Sequence, residues 1–165
     1  MSSAPEIVTR PEQPYAAIRV RVTMADLAAV VPPLNQEVFA WLGGRGVAPA
    51  GAPFWKYNVI DMAGKLEVEA GAPVAAAVAG DDRVVSGELP AGRYATLTHV
   101  GHPSELVAAT GALLDWAAEQ GLTWDMTPGE SGERWACRLE NYLTDPSQEP
   151  DMSKWVTELA FKLAD

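Results

Sequence analysis

The sequence is a twofold internal repeat, and this feature constrains the fold more than any other. The segment Tyr15-Ala-Ala in the first half matches Tyr94-Ala-Thr in the second. Trp41 and Trp116 follow in their respective halves, and a glycine lies five residues after each. A repeat of this kind indicates two copies of one supersecondary unit that bury a shared core. The chain is therefore expected to fold as two half-repeats.

Each half carries the pattern strand, helix, strand, strand. Residues 15–22 alternate apolar and polar side chains, which is typical of a half-buried strand. Thr23 is predicted as the N-cap of a helix that ends near Gly43, and Pro32-Pro33 predicts a kink or break inside it. The remaining predicted elements are strands at 54–61 and 66–69, a strand at 94–100, a helix from 104 to 121, and strands at 135–143 and 155–163.

This order predicts an α+β fold with a single domain over residues 13–165. We expect tandem pseudo-twofold β-α-β-β repeats, at about 13–80 and 84–165, and a mainly antiparallel sheet with two long helices on one face. A ligand cleft is expected at the seam between the halves. Residues 1–12 are polar and contain two prolines, and they are predicted to be a flexible tail.

Composition excludes several classes of function. The 165 residues carry a net charge of −10, which argues against direct DNA binding, since a DNA-binding face must neutralise phosphates. The single cysteine, Cys137, excludes a disulfide scaffold and suits a reducing compartment. No apolar run approaches the roughly 20 residues of a membrane span. We expect a cytoplasmic monomer with no membrane contact and no cofactor.

The strand predicted at 135–143 carries the most informative side chains. Alternation places Cys137 and Leu139 on the face expected to pack on the helices, together with Trp135 and Leu143. Arg138, Glu140 and Tyr142 then point the other way. Two interpretations are open. The three side chains form an ordinary solvent-exposed face, or Glu140 and Tyr142 project into the seam between the halves. An ionised carboxylate in such a cleft is unfavourable without a partner, and a cationic aromatic ligand would supply one.

Other candidate residues are aromatic or metal-binding types. Trp55 and Trp155 lie on predicted strands and could be either core or pocket wall. Tyr57 suits an apolar cleft with one polar end. His99 and His102 are three residues apart with no evident third ligand on that segment, so no metal site is predicted.

Several short motifs, in this order, resemble the GyrI-like small-molecule-binding domain. They are Leu89-Pro-Ala-Gly-Arg-Tyr-Ala95, Gly101-His-Pro, Glu140-Asn-Tyr142, Thr144-Asp-Pro146 and Lys154-Trp-Val-Thr-Glu-Leu159. That domain is also the effector-binding module of MerR-type and AraC-type multidrug regulators. The resemblance extends from about residue 14 to 163. No room is left before Tyr15 for a helix-turn-helix domain, so the chain is similar to the stand-alone type.

The resemblance implies which residues bind ligand. A glutamate of the penultimate strand reaches the pocket floor in this family and meets cationic aromatic drugs, and Glu140 matches it. Tyr142 is the next residue on the same face. Trp155 matches an aromatic early in the last strand, and Tyr57, with Trp55 on the same strand, matches the wall from the first half.

Three functions follow as expectations. The first is a binding protein for bulky hydrophobic, often cationic, aromatic compounds. The second is a hydrolase that opens the cyclopropane ring of DNA-alkylating natural products, with Glu140 as general base or water-orienting group and Tyr142 or Tyr57 assisting. The third is a gyrase-inhibitor-like interaction protein. The sequence leaves the ligand and the choice between binder and slow enzyme open.

Overall fold

The computed structural model describes residues 1–130 and 132–165, and these residues form ten strands and three α-helices besides two short 3₁₀ turns. The helices are α1 (Met24–Val30), α2 (Pro32–Gly43) and α3 (Leu106–Glu119). The strands are β1 (Glu6–Arg10), β2 (Gln13–Val22), β3 (Phe54–Ile60), β4 (Leu66–Pro73), β5 (Val85–Leu89), β6 (Gly92–Val100), β7 (Met126–Gly129), β8 (Gly132–Trp135), β9 (Arg138–Tyr142) and β10 (Val156–Lys162). Among the described residues, no helix is long and apolar enough to cross a lipid bilayer.

The predicted helix of the first half is divided at its prolines. Thr23 caps α1, and its Oγ1 accepts a hydrogen bond from the Asp26 backbone N–H at 3.3 Å. Pro32 and Pro33 open α2, where proline is tolerated because the first helical residues have no N–H partner within the helix. The break predicted at this position is confirmed.

Strands β3 and β9 pair at the centre of the sheet and join the two halves. The strand order is β1-β6-β10-β9-β3-β4-β2-β5, with antiparallel pairing throughout, and the β7–β8 hairpin attaches to β3 through β8. From edge to centre, the first half contributes β2, β4, β3 and the second contributes β6, β10, β9. The same order in both halves confirms the tandem β-α-β-β arrangement, with its pseudo-twofold axis between β3 and β9.

Both long helices cover the same face of the sheet. Ala70, Trp55, Glu140 and Leu159 are successive cross-strand partners, so they share one face. Ala70 packs in the core cluster that includes α2, and Leu159 packs in the cluster that includes Leu113 of α3. The seam residues Trp55 and Glu140 therefore lie between the two helix-covered cores.

The N-terminal segment differs from its prediction as a flexible tail. Residues Glu6–Arg10 form β1, which pairs with β6 and covers the edge that β6 would otherwise expose. Ile7, Val8 and Thr9 are β-branched and favour a strand. The strand was not predicted because the run is short and has a proline on either side. The folded chain thus begins before residue 13.

The strand predicted at 135–143 is interrupted, and its predicted facing is wrong. β8 ends at Trp135 and β9 begins at Arg138, so the alternation changes phase across the break. Trp135 packs in the α3 core, whereas Cys137 and Leu139 pack on the opposite face of the sheet. Glu140 consequently faces the helix side, in the gap between the two cores.

Candidate functional site

Two tyrosines from opposite halves of the chain donate hydrogen bonds to the same carboxylate. The Tyr57 hydroxyl of β3 lies 3.0 Å from Glu140 Oε1, and the Tyr142 hydroxyl of β9 lies 2.6 Å from the same oxygen. Tyr57 is buried, and Glu140 and Tyr142 are partly buried. The structure thus brings together three of the predicted site residues, Tyr57, Glu140 and Tyr142.

The two tyrosines are pseudo-symmetry equivalents. Tyr57 pairs with Val68 of β4, and Tyr142 pairs with Thr157 of β10, at the same register position in each half. By the same registers Trp55 is the equivalent of Glu140, and these two residues pair directly across the axis. The repeat therefore supplies a matched pair of phenols, and only the second half places an acid between them.

Trp55 forms one wall of this site and is held by a helix residue. Its indole Nε1–H donates to Asn35 Oδ1 at 2.7 Å, and its ring meets Tyr142 edge-on, with the centroids 5.3 Å apart. The Asn35 amide also donates to the carbonyls of Phe54 and Gly71 at 3.2 Å each. Asn35 was missed at the sequence level, although it falls within the buried helical stripe that includes Leu34 and Val38 of α2.

Burial sets the protonation behaviour of the site. The pKa of Glu140 is raised by burial, and this rise is opposed by the hydrogen bonds from Tyr142 and Tyr57 and by the charge of Arg138. The pKa values of both tyrosines are raised well above their usual value, first by burial and then by the Glu140 charge. The phenols therefore remain protonated donors across the physiological pH range.

Arg138 brings a cation to the same face, two residues before Glu140. Its guanidinium lies 4.7 Å from the Trp135 ring centroid and 4.5 Å from the Phe161 ring centroid. Burial lowers its pKa, and its positive charge lowers that of Glu140. Alternation predicted Arg138 on the face of Glu140, but nothing in the sequence predicted a role for it.

The two carboxylate oxygens of Glu140 differ in their hydrogen bonds. Both hydrogen bonds to the carboxylate end on Oε1. In the described part of the chain, every fully buried side-chain nitrogen or oxygen has a hydrogen-bond partner. Since Glu140 Oε2 takes part in neither bond, it is not among the fully buried atoms.

The remaining predicted residue, Trp155, lies apart from this hydrogen-bonded group. It precedes β10 instead of belonging to it, and its indole Nε1–H donates to the Glu149 carbonyl at 2.7 Å.

Two concavities of about 310 and 500 Å³ are lined by other residues, and neither includes Glu140. The acidic group thus lies outside both concavities, partly buried between the two helix-covered cores.

The fold and this site define a class of protein: a duplicated α+β domain whose halves meet at a partly buried carboxylate. Residues 3–164 match the model of the GyrI-like small molecule binding domain. The chain belongs to the GyrI-like family, and the family resemblance found in its motifs is confirmed. Comparison with curated protein sequences gives no match.

Several solved structures share this fold. The C-terminal domain of EcmrR superposes with a TM-score of 0.74 at 19 % identity, covering 98 % of each chain. The chain spans 57 % of the EcmrR polypeptide in its complex with DNA. SAV2435 bound to tetraphenylphosphonium has a TM-score of 0.62 at 9 % identity, covering 98 % of this chain and 94 % of that one. A hydrolase from Listeria innocua has a TM-score of 0.59 at 15 % identity, with coverages of 97 % and 91 %.

Proposed function

We propose that the chain binds hydrophobic aromatic cations against Glu140, at the seam between its two halves. The observation that carries the proposal is the carboxylate held at Oε1 by Tyr57 and Tyr142, while Oε2 accepts neither of these hydrogen bonds. An ionised carboxylate in this setting gains most from a ligand that brings both a positive charge and apolar surface.

Aromatic side chains supply the rest of the proposed contact. Trp55 and Tyr142 offer ring faces and edges next to the carboxylate, and Trp155 is included as a more distant aromatic contact. Stacking and one ion pair are consistent with micromolar affinity, or about −8 kcal/mol. Flat aromatic walls demand few hydrogen bonds, so broad ligand specificity is expected. A structural neighbour, SAV2435, carries tetraphenylphosphonium, a ligand of this chemistry.

The net charge of −10 is consistent with binding without DNA contact. We further infer that one chain is sufficient, because the internal repeat already provides both halves of the site within a single polypeptide. Sedimentation with and without ligand tests this point, and a ligand-dependent dimer would contradict it.

The proposal is tested by calorimetric titration of tetraphenylphosphonium and of neutral triphenylphosphine oxide, with the wild type and with Glu140→Gln. We expect the substitution to weaken binding of the cation at least about tenfold and to leave the neutral compound unchanged. Unfolding curves of both proteins control for loss of structure. Equal losses for the two ligands, or no binding by the wild type, would overturn the proposal.

A second candidate is hydrolytic opening of a cyclopropane ring in a DNA-alkylating natural product. The raised pKa of Glu140 favours it, since a carboxylate with a raised pKa is a better general base, and the two phenols could donate to a carbonyl that gains charge. A structural neighbour is a hydrolase. Incubation of excess protein with such a compound should give a ring-opened product. Unchanged compound would remove this candidate.

A further inference from the structure

One of the two concavities lies on the opposite face of the sheet from Glu140. Its volume is about 310 Å³, at the lower end of the range of small-molecule pockets. Phe54 and Leu139 form part of its floor, and they are the chain neighbours of Trp55 and Glu140. Because successive residues of a strand point to opposite faces, the two sites are separated by the thickness of the sheet.

The floor of this concavity is apolar. Four strands contribute Phe54, Leu89, Tyr94 and Leu139, and the loop at residues 50–52 forms one wall. Tyr94 directs its hydroxyl to the Pro90 carbonyl at 2.6 Å, so its polar end already has a partner. A ligand is therefore recognised here by apolar contact and by the charged groups at the rim.

The rim carries one cation and one anion side by side. Arg10 Nη2 donates to both carboxylate oxygens of Glu158, at 2.9 Å each. Asn141 Nδ2 donates to Glu158 Oε1 at 3.1 Å and fixes that carboxylate. The two hydrogen bonds of Arg10 use a single nitrogen. Within the described residues, Arg10 Nη1 and Nε therefore keep donors for a ligand.

This charge arrangement selects the class of ligand. A simple cation would meet the Arg10 guanidinium, and a simple anion would meet Glu158 and the overall charge of −10. A ligand with both charges complements both groups. We propose that this concavity binds a small aromatic zwitterion of the α-amino-acid type, with its carboxylate on Arg10, its ammonium on Glu158 and its ring on the apolar floor.

The proposal is independent of the function assigned to Glu140, and matched ligands test it. L-tryptophan carries both charges, tryptamine lacks the carboxylate, and indole-3-propionate lacks the ammonium. By calorimetry and saturation-transfer NMR we expect binding of L-tryptophan, and at least about tenfold weaker binding of either analogue. Equal binding of all three compounds, or no binding of L-tryptophan at 10 mM (roughly −2.7 kcal/mol), would overturn it.

Variants locate the ligand. Arg10→Lys keeps the charge but loses the planar fork of donors, so L-tryptophan affinity should fall severalfold without loss of fold. Glu158→Gln should remove the preference for L-tryptophan over indole-3-propionate. Glu140→Gln lies on the other face, and it should leave L-tryptophan binding unchanged while it weakens tetraphenylphosphonium. Loss of L-tryptophan binding in Glu140→Gln would contradict a separate site.

Discussion

Tyr57 and Tyr142 occupy the same register position in the two halves of the molecule, and both donate to one oxygen of Glu140. Gene duplication alone would give two phenols related by the pseudo-twofold axis. The site becomes asymmetric because the position between them is Glu140 in one half and Trp55 in the other. An acid and an aromatic wall are thereby paired across the seam.

The two tyrosine hydrogen bonds should be coupled to the charge of Glu140. Hydrogen bonds to charged groups contribute about 1.5–3 kcal/mol, so Tyr57→Phe and Tyr142→Phe should each lower stability by this order at pH 8. Urea denaturation of each variant, with and without Glu140→Gln, measures the coupling. We expect the effect of each Tyr→Phe change to shrink when Glu140 is already neutral.

Tyr94→Phe is the matched control, because Tyr94 donates to the neutral Pro90 carbonyl. Its effect should be the same with and without Glu140→Gln. If the loss of stability caused by Tyr57→Phe is also the same with and without Glu140→Gln, the tyrosine hydrogen bonds do not depend on the charge of Glu140.

Stability should depend on pH through Glu140 in a definite direction. Burial raises its pKa above the unfolded value, so the folded state binds the proton more tightly. The wild type should therefore lose stability relative to Glu140→Gln as pH rises from about 4.5 through the folded pKa. Denaturation midpoints of both proteins between pH 4.5 and 8 measure the difference. A flat difference curve, or one of opposite slope, contradicts a buried carboxylate.

Arg138 should reduce the preference of the Glu140 site for cationic over neutral ligands. Its guanidinium opposes a cationic ligand and lowers the pKa of Glu140. At pH 8, Arg138→Gln should strengthen tetraphenylphosphonium binding about tenfold, or about 1.4 kcal/mol, because the repulsion between two positive charges is removed. Arg138→Lys retains the charge and should stay near the wild-type affinity. A similar gain for triphenylphosphine oxide would show that Arg138 acts through shape instead of charge.

Glu69 and Glu158 are a second pair of pseudo-symmetry equivalents with different surroundings. Glu69 is 1 % exposed and accepts hydrogen bonds from Tyr15 at 2.7 Å and from Asn58, with Lys56 Nζ 3.7 Å away. Glu69→Gln leaves the buried Lys56 without its counter-charge and should cost about 3–5 kcal/mol. Glu158→Gln removes a partly exposed ion pair and should cost about 1 kcal/mol or less by thermal unfolding. Comparable losses of stability in the two variants would mean that the burial of an ion pair does not determine its contribution to the free energy of unfolding.

Periodicity and the internal repeat predicted the α+β class, the division of the first helix and the strands on both sides of the seam. Alternation could not predict which face of the sheet the β9 side chains occupy, because the break at Ala136 and Cys137 shifts the alternation by one residue. The position of this break depends on pairing with strands that are distant in the sequence. Glu140 was predicted from its family position. Asn35 was missed because a polar residue in a helical stripe indicates burial only when its partners are known.

The most direct test is carboxyl ¹³C NMR of the protein labelled at glutamate, with the Glu140 resonance assigned from Glu140→Gln. We expect Glu140 to titrate above about 4.5, and we expect tetraphenylphosphonium to shift its resonance and lower its pKa. A Glu140 signal with an ordinary pKa that the ligand leaves unmoved would contradict the account.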